Sequence, residues 1–380
     1  MKKLRILHVF RTPVGGLFRH VLDVARGQAE RGHEVGIICD SSTGGPRADQ
    51  ALEELRPHLA LGIVRVPMRR PPHPLDALVV MRLTAHYRSI RPDVLHGHGS
   101  KGGAYARMLT VPGLDRRTVR VYTPHGGSFH SDPGSLAHRV YVGAESMLAR
   151  RTDAFLFESA YVKHRFEAFV GPTDKLVRVV HNGIAEEEFE PVQQAADPFD
   201  LVYIGEFRAL KGVDTLIDAL AIIRRDHGVR LTLLAVGSGS SEGELKSRAQ
   251  EAGVWDSLAF VPPQKIREAL SRGRVMVVPS RAESLPYVIL EAAAAAQPLI
   301  CTNGGGIGEI FGPYSNELIP AGEPMVLAAK ILAMLSEPEE VRRARAAALA
   351  EHVRAGFCIN KMDDGVLGGY AEARSRRGIT

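Results

Sequence analysis

The chain of 380 residues is 45% hydrophobic and 24% charged, the make-up of an ordinary soluble globular protein with room for two domains of roughly 150 to 200 residues. Its three cysteines, Cys39, Cys301 and Cys358, form no metal or redox spacing, no apolar run is long enough to cross a bilayer, and the charge-broken first ten residues do not read as a signal peptide, so a reducing cytoplasm is expected. The net charge of +5 is uneven, with 27 Lys and Arg against 20 Asp and Glu in residues 1–190 and 21 against 23 in residues 191–380; the basic half suits an anionic partner such as a phosphorylated acceptor or an anionic membrane surface, and no helix-turn-helix, zinc finger or basic-aromatic patch points to nucleic acid.

Residues 4–10 form an apolar run, followed by a turn at Gly15 and Gly16 and an amphipathic stretch that Gly32 closes. This reads as strand, glycine turn, helix, with a second strand over residues 34–39. Glycine at such a turn lets backbone N–H groups approach a phosphate at the helix start. A full dinucleotide fingerprint needs a third glycine, which is missing, and tight packing explains the pair equally well. The basic, proline-stiffened residues 67–74 suit a connector or a contact to an acceptor or membrane. A helix is expected over residues 75–90.

A strand then ends at His96 and His98, and a glycine-rich turn carrying Lys101 leads into a helix. The His-x-His pair invites a zinc reading with His125 and His130, but nothing else resembles a metal hydrolase. Residues 119–122 form another strand, ending in a turn at His125-Gly-Gly127; His130 and Asp132 follow without an evident role. After a strand and turn over residues 155–159 comes a strand into Asn182-Gly183-Ile184, with Phe189 and Pro191 beyond it. Residues 191–198 are polar and proline-flanked, the composition of a linker.

The second half repeats the α/β plan. Residues 201–212 read as strand and turn, with Arg208 and Lys211 between Gly205 and Gly212. A diphosphate leaving group needs positive charge at such a place, because negative charge builds on it as its bond breaks. The strand 231–236 runs into Gly237-Ser-Gly239 and Gly243, a partial dinucleotide loop with its third glycine one position late and no acidic residue about 20 residues on. Residues 258–263 are strand and turn, 266–271 a short helix, and 275–278 a buried parallel strand. Glu283 then sits at the strand's carboxyl end and Glu291 eight residues on, with Ser284 a plausible N-cap and Pro286 in the first helical turn. On one continuous helix the two carboxylates stand roughly 12 Å apart, too far for the about 5 to 9.5 Å of a glycosidase pair. They suit either two anchors for the hydroxyls of one extended ligand or solvated helix-end charges. A glycine-rich turn at Gly304-Gly-Gly306 opens another helix, amphipathic helices cover residues 325–335 and 339–351, and a last helix covers residues 357–376.

Glu283, seven residues, Glu291, Ala292 and Pro298 resemble the signature of the retaining glycosyltransferases of family 4, of the GT-B fold. The Gly15-Gly16 turn, His125, Asn182-Gly-Ile, Arg208 with Lys211, the Gly304 turn and the closing helix resemble that family's other elements, in its order. The resemblance implies two Rossmann-like α/β/α domains facing a central cleft: an acceptor-side domain over 1–190, a nucleotide-sugar domain over 191–356, and a helix over 357–380 that returns to the first domain. It assigns the donor diphosphate to Arg208, Lys211, Gly15 and Gly16, the donor sugar to His125 and Glu283, and the ribose to Glu291. The backbone at Val261 would hold the base. Ser284, Leu285 and Pro286 would lie beside the sugar, standing where many relatives have Gly-Phe-Gly; Ala296 stands where glycine is common. His98 and Lys101 would face the acceptor.

The implied reaction is retaining transfer of a hexose from a nucleotide diphosphate sugar, such as a UDP-sugar, to a hydroxyl acceptor. A growing or lipid-linked bacterial polysaccharide is the expected acceptor, with no metal or cofactor and an enzyme that is cytoplasmic or peripheral at the inner face of the plasma membrane. Two other readings stay open: a nucleotide-sugar epimerase of the same architecture, and a nucleotide-binding protein of the NAD type using the Gly237 loop.

Overall fold

Apolar runs that alternate with glycine turns and amphipathic helices give parallel strands buried on both faces. The computed structural model describes residues 2–127 and 134–379, so His130 and Asp132 lie outside the described residues. The chain forms two units, one of residues 1–183 with 359–380 and one of residues 184–358.

In the first unit the strands are β1 (Arg5–Phe10), β2 (Glu34–Asp40), β3 (Gly62–Val66), β4 (Val94–His98), β5 (Val119–Thr123), β6 (Ala154–Phe157) and β7 (Leu176–Val179). They pair in the order β3-β2-β1-β4-β5-β6-β7, every pair parallel. The register sets His8 opposite His96 and Phe10 opposite His98. One face of this sheet, with Ile6, Val94, Val121 and Leu156, is covered by Met362, Val366, Leu367, Tyr370 and Ala373 of the closing helix Ile359–Arg376. That helix therefore belongs to the first unit.

The second unit holds β8 (Phe199–Ile204), β9 (Leu233–Val236), β10 (Leu258–Val261), β11 (Gly273–Val278) and β12 (Leu299–Cys301), ordered β10-β9-β8-β11-β12 and again all parallel. Alternating side chains split its core: Val202, Leu234, Met276 and Val278 pack with the helix Tyr287–Ala294, and Leu201, Tyr203, Leu233, Val275 and Val277 with the helices Val213–His227 and Pro324–Ser336. Both sheets reverse direction of growth at one place, between β1 and β4 and between β8 and β11. Open α/β sheets bind ligands beyond the carboxyl ends of the strands at such a switch point.

The passage between units falls at Gly183–Ile184, ahead of the expected linker. Residues 191–198 are tied into the second unit, where Val192 donates its N–H to the Ala295 carbonyl at 3.2 Å and Ala195 to that of Ser271 at 2.8 Å. Among the described residues no helix is long and apolar enough to cross a membrane.

Candidate active site

In the second unit the loops after β8 and β11 meet at the switch point. The Lys211 ammonium donates to Glu283 Oε1 at 2.6 Å, and Ser280 Oγ donates to the same oxygen at 2.8 Å. Glu283 Oε2 has no hydrogen-bond partner among the described residues, although the residue is 9% exposed. The backbone around it is fixed. Its N–H goes to the Gly304 carbonyl at 3.2 Å, and its carbonyl accepts the Gly306 N–H at 2.9 Å. Gly305 stands between these bonds at φ +74°, and a Cβ there would lie 2.0 Å from the Glu283 carbonyl oxygen. Gly212 plays the same part for Lys211: φ is +69°, and a Cβ would meet the Pro279 carbonyl oxygen at 2.0 Å. Arg281 locks the two loops together, its N–H on the Leu210 carbonyl at 2.8 Å and its guanidinium on Asp214 at 2.9 and 2.6 Å.

The negative charge of Glu283 is felt in the surrounding wall. Burial and then this carboxylate push the Tyr203 phenol and the Cys301 thiol above their ordinary pKa values. Arg208 reaches outward: its side chain is nearly half exposed and its guanidinium is 3.3 Å from Glu206 Oε2, while its carbonyl accepts the Lys211 N–H at 2.9 Å. A cation so placed is free to swing toward an anionic ligand.

Several expectations for this loop change. The helix starts at Tyr287 with Pro286 as its N-cap in extended conformation, so neither Ser284 nor Pro286 lies where the spacing put it. The anchoring of Glu283 to the Gly304 turn holds residues 283–286 extended. The 12 Å separation assumed one continuous helix and does not apply, because Glu283 is not helical; Glu291 is half-buried within the helix. Leu285 is 3% exposed and packs in the core cluster rather than beside a ligand. Ser284 and Pro286 are half-buried. The Val261 carbonyl accepts the Gly237 N–H at 2.9 Å.

The Gly237 loop does not have the make-up of a dinucleotide site. A Cβ at Gly237 would meet the Gly205 carbonyl oxygen at 1.9 Å, and one at Gly239 that of Phe207 at 2.3 Å. These glycines are needed for loop-on-loop packing. The helix that follows, Glu242–Glu251, carries Glu242 and Glu244 in its first turn, where they would repel a pyrophosphate.

In the first unit, Gly15 and Gly16 are exposed at the start of the helix Gly15–Glu30. Gly15 has φ +68° with nothing within 4 Å of a Cβ position, no side chain caps the helix and no acidic residue lies in its first turn. Its first amides suit an anion. His125 occupies the left-handed region at φ +52°, uncommon for a residue with a Cβ and a mark of functional positions.

Behind His125 lie four more histidines: His96 and His98 stand out in sequence as a His-x-His pair, whereas His8 and His20 belong to no motif. His98 Nδ1 is 3.2 Å from His125 Nε2, and His98 Nε2 is 2.9 Å from His8 Nδ1. His98 is fully buried and so supports His125 rather than facing an acceptor. Lys101 is likewise not open to an anion: its ammonium is held by Asp76 and by the Pro71 carbonyl at 3.3 Å. His20 Nδ1 is 3.0 Å from Asn182 Oδ1, while its buried Nε2 has no partner among the described residues. Burial lowers the pKa of His8 and His20 to about 4 and those of His96, His98 and His125 well below the usual value, so all five rings are neutral at pH 7. Two triads, His8 with His96 and His98, and His20 with His98 and His125, bring ring nitrogens within 4.8 Å of one another. In the first triad every ring nitrogen already has a hydrogen-bond partner.

Residues 14–188 match the family described as Glycosyltransferase Family 4, and residues 185–350 match Glycosyl transferases group 1. The chain is 31% identical over 373 residues to a glycogen synthase of Mycobacterium tuberculosis, covering 88% of this chain and 86% of that protein. It is 27% identical over 392 residues to a D-inositol 3-phosphate glycosyltransferase of Catenulispora acidiphila, covering 94% and 91%. Among solved structures, a sucrose-phosphate synthase of Thermosynechococcus elongatus superimposes with a TM-score of 0.81 over 98% of this chain and 100% of that one, at 19% identity. The HepE protein of Anabaena, crystallised with UDP and glucose, gives 0.78 over 97% and 100%, at 18% identity. These likenesses show the GT-B fold.

Proposed function

The chain belongs to the family 4 glycosyltransferases, and on that premise we propose that it is a retaining enzyme moving a hexose from a nucleotide diphosphate sugar to a hydroxyl of a saccharide. The observation that carries this reading is the Lys211–Glu283 pair, in which one carboxylate oxygen is neutralised and the other is left for a sugar hydroxyl. Lys211 and the outward Arg208 are assigned to the diphosphate, whose charge grows as the glycosidic bond breaks. In the first unit, the uncapped amides at Gly15 and Gly16 are assigned to a phosphate of the donor. Glu283 and His125 hold the sugar through an oxocarbenium-like transition state, and Glu291 the ribose. The acceptor attacks on the face that the diphosphate leaves, so no second carboxylate is needed as nucleophile. UDP is the proposed nucleotide, because HepE was crystallised with it.

The same reading makes the enzyme metal-independent, with Arg208, Lys211 and backbone amides supplying the positive charge. It places the enzyme in the cytoplasm, with a lipid-linked or growing polysaccharide as acceptor and contact to an anionic membrane surface. Support for the membrane contact comes from the exposed Arg69 and Arg70 beside Leu75, Leu78 and Met81, which are 46%, 54% and 65% exposed and lie three residues apart along one face.

A thermal-shift panel of UDP, UDP-glucose, GDP-mannose and NAD tests the donor class. Stabilisation by a nucleotide sugar and none by NAD is expected, and Glu283→Ala should keep UDP binding while losing transfer. Turnover should survive dialysis against a chelator. A rearranged nucleotide sugar released without any acceptor would replace this reading by the epimerase.

A further inference from the structure

The histidine network in the first unit has a direction. Gln28, fully buried, holds His8 Nε2 at 2.9 Å with its Oε1 and donates its amide N–H to Tyr370 Oη at 3.2 Å. An amide oxygen only accepts, so His8 carries its hydrogen on Nε2 and presents a lone pair at Nδ1. His98 Nε2 must then donate to His8 Nδ1. That leaves a lone pair on His98 Nδ1, and His125 Nε2 must donate to it. The second branch agrees. Tyr370 Oη, receiving from Gln28, gives its one hydrogen to His96 Nδ1 at 2.6 Å, and His96 Nε2 donates to Thr123 Oγ1 at 2.9 Å. Rotating the Gln28 amide by half a turn would invert every bond in both branches, so this one side chain sets the polarity of the whole network.

We propose that Gln28, His8 and His98 are positioning residues that hold His125 as its Nε2–H tautomer, so that its Nδ1 is a hydrogen-bond acceptor for a hydroxyl of the bound sugar. This rests on the assignment of His125 to the donor sugar. His125 Nδ1 has no partner among the described residues, the left-handed backbone at His125 sets the direction of its Cα–Cβ bond, and the contact to His98 Nδ1 holds the ring. The four side chains are contributed by β1, the helix Gly15–Glu30, the end of β4 and the turn after β5, so the chain runs through the interior of the unit to its ligand-binding edge. Burial keeps each ring neutral, which leaves the tautomer as the remaining variable. An acceptor at this point favours a hydroxyl over a group that can only accept, and a mixed tautomer would lose that selection.

Long-range 1H–15N spectra of the full chain, labelled at histidine, read the tautomer without any substrate. The signals of His125 are assigned by their loss in His125→Gln. The expected result is a protonated Nε2 and a bare Nδ1 in the wild type. In Gln28→Leu and in His8→Phe the His125 signals should move toward a mixture. Gln28→Glu, whose carboxylate also accepts from His8, should retain the wild-type pattern. With UDP-glucose as donor, Gln28→Leu should lower kcat about tenfold and leave KM within about twofold, as expected for a misaligned general hydrogen-bonding group. A protonated Nδ1 on His125 in the wild type, or a tautomer unmoved in both Gln28→Leu and His8→Phe, would overturn the proposal. A moved tautomer with unchanged kcat would confirm the positioning chain and remove His125 from the transfer step instead.

Discussion

Lys211 Nζ lies 2.6 Å from Glu283 Oε1, and the two residues, 72 positions apart in sequence, follow the adjacent strands β8 and β11. The pair is mostly shielded, with side-chain exposures of 25% and 10%. Removing one member leaves the other charge poorly solvated. Lys211→Met and Glu283→Gln should each destabilise the second unit by about 1–3 kcal/mol, less than for a fully buried pair because the lysine still reaches water. The double variant should be more stable than the sum of the two losses, by about 1–2 kcal/mol. Urea unfolding of the four proteins measures this; additivity within about 0.5 kcal/mol would mean that the pair does not interact in solution.

Gly305 is the residue that lets the Gly304 turn close on Glu283. A methyl group there would collide with the Glu283 carbonyl oxygen and would also strain a backbone at φ +74°. Gly305→Ala should therefore move the carboxylate, costing about 1–3 kcal/mol of stability and at least about tenfold in kcat. Gly228→Ala is the control. It shares the positive φ, at +65°, but meets nothing within 4 Å, so it should cost about 1 kcal/mol and leave turnover alone. Equal kinetic effects in the two variants would show that Gly305 does not place Glu283.

These contacts mark where sequence reading succeeded and where it stopped. The parallel strands were legible because apolar runs bounded by glycine turns leave little choice, and the same runs put Arg208 and Lys211 after β8 and Glu283 after β11. Their pairing was not, since it depends on β8 and β11 being neighbours across a crossover. His8 was passed over because a lone histidine in an apolar strand reads as core. Only the register that sets it opposite His96 shows it joining a network. His98 and Lys101 looked available because sequence shows what precedes a turn and not what covers it; His8 and His125 take the first, Asp76 the second. The start of the Tyr287–Ala294 helix was misplaced because local capping residues were weighed without the distant Gly304 turn that holds residues 283–286 extended.

The proposed membrane contact makes a quantitative demand. Leu75, Leu78 and Met81 offer apolar insertion, and Arg69 and Arg70 attraction to anionic headgroups. Co-sedimentation with vesicles of phosphatidylglycerol in phosphatidylcholine should fall on adding salt. Each arginine near such a surface contributes about 1 kcal/mol, so changing both to Ser should weaken binding on the order of tenfold or more. Leu78→Ser with Met81→Ser should weaken it independently of salt. Equal binding to pure phosphatidylcholine would remove the electrostatic half of the proposal, and no binding to either vesicle would remove the contact.

The buried histidines also predict how the first unit responds to acid. His8 and His20 titrate near pH 4 when folded, against an ordinary value of 6.5, because burial disfavours the charged ring. Between those values the unfolded chain binds more protons than the folded one, so their stabilisation is complete above pH 6.5 and is lost as the pH falls toward 4. His96, His98 and His125 shift in the same direction. Asp363 opposes them. Burial raises its carboxyl to about 7, and Arg31, at 3.8 Å, offsets this only in part. The folded state therefore holds the extra proton there between about pH 4 and 7, and stability at that group falls as pH rises. With five groups against one, the net slope keeps the sign of the histidines. The unfolding free energy of the first unit should drop by at least about 1 kcal/mol per pH unit between pH 6 and 5, measured by urea unfolding in constant salt. Asp363→Asn removes the opposing group and should steepen the loss, whereas a stability that is flat or rising from pH 6 to 5 would show that these rings are not buried and neutral in the folded protein.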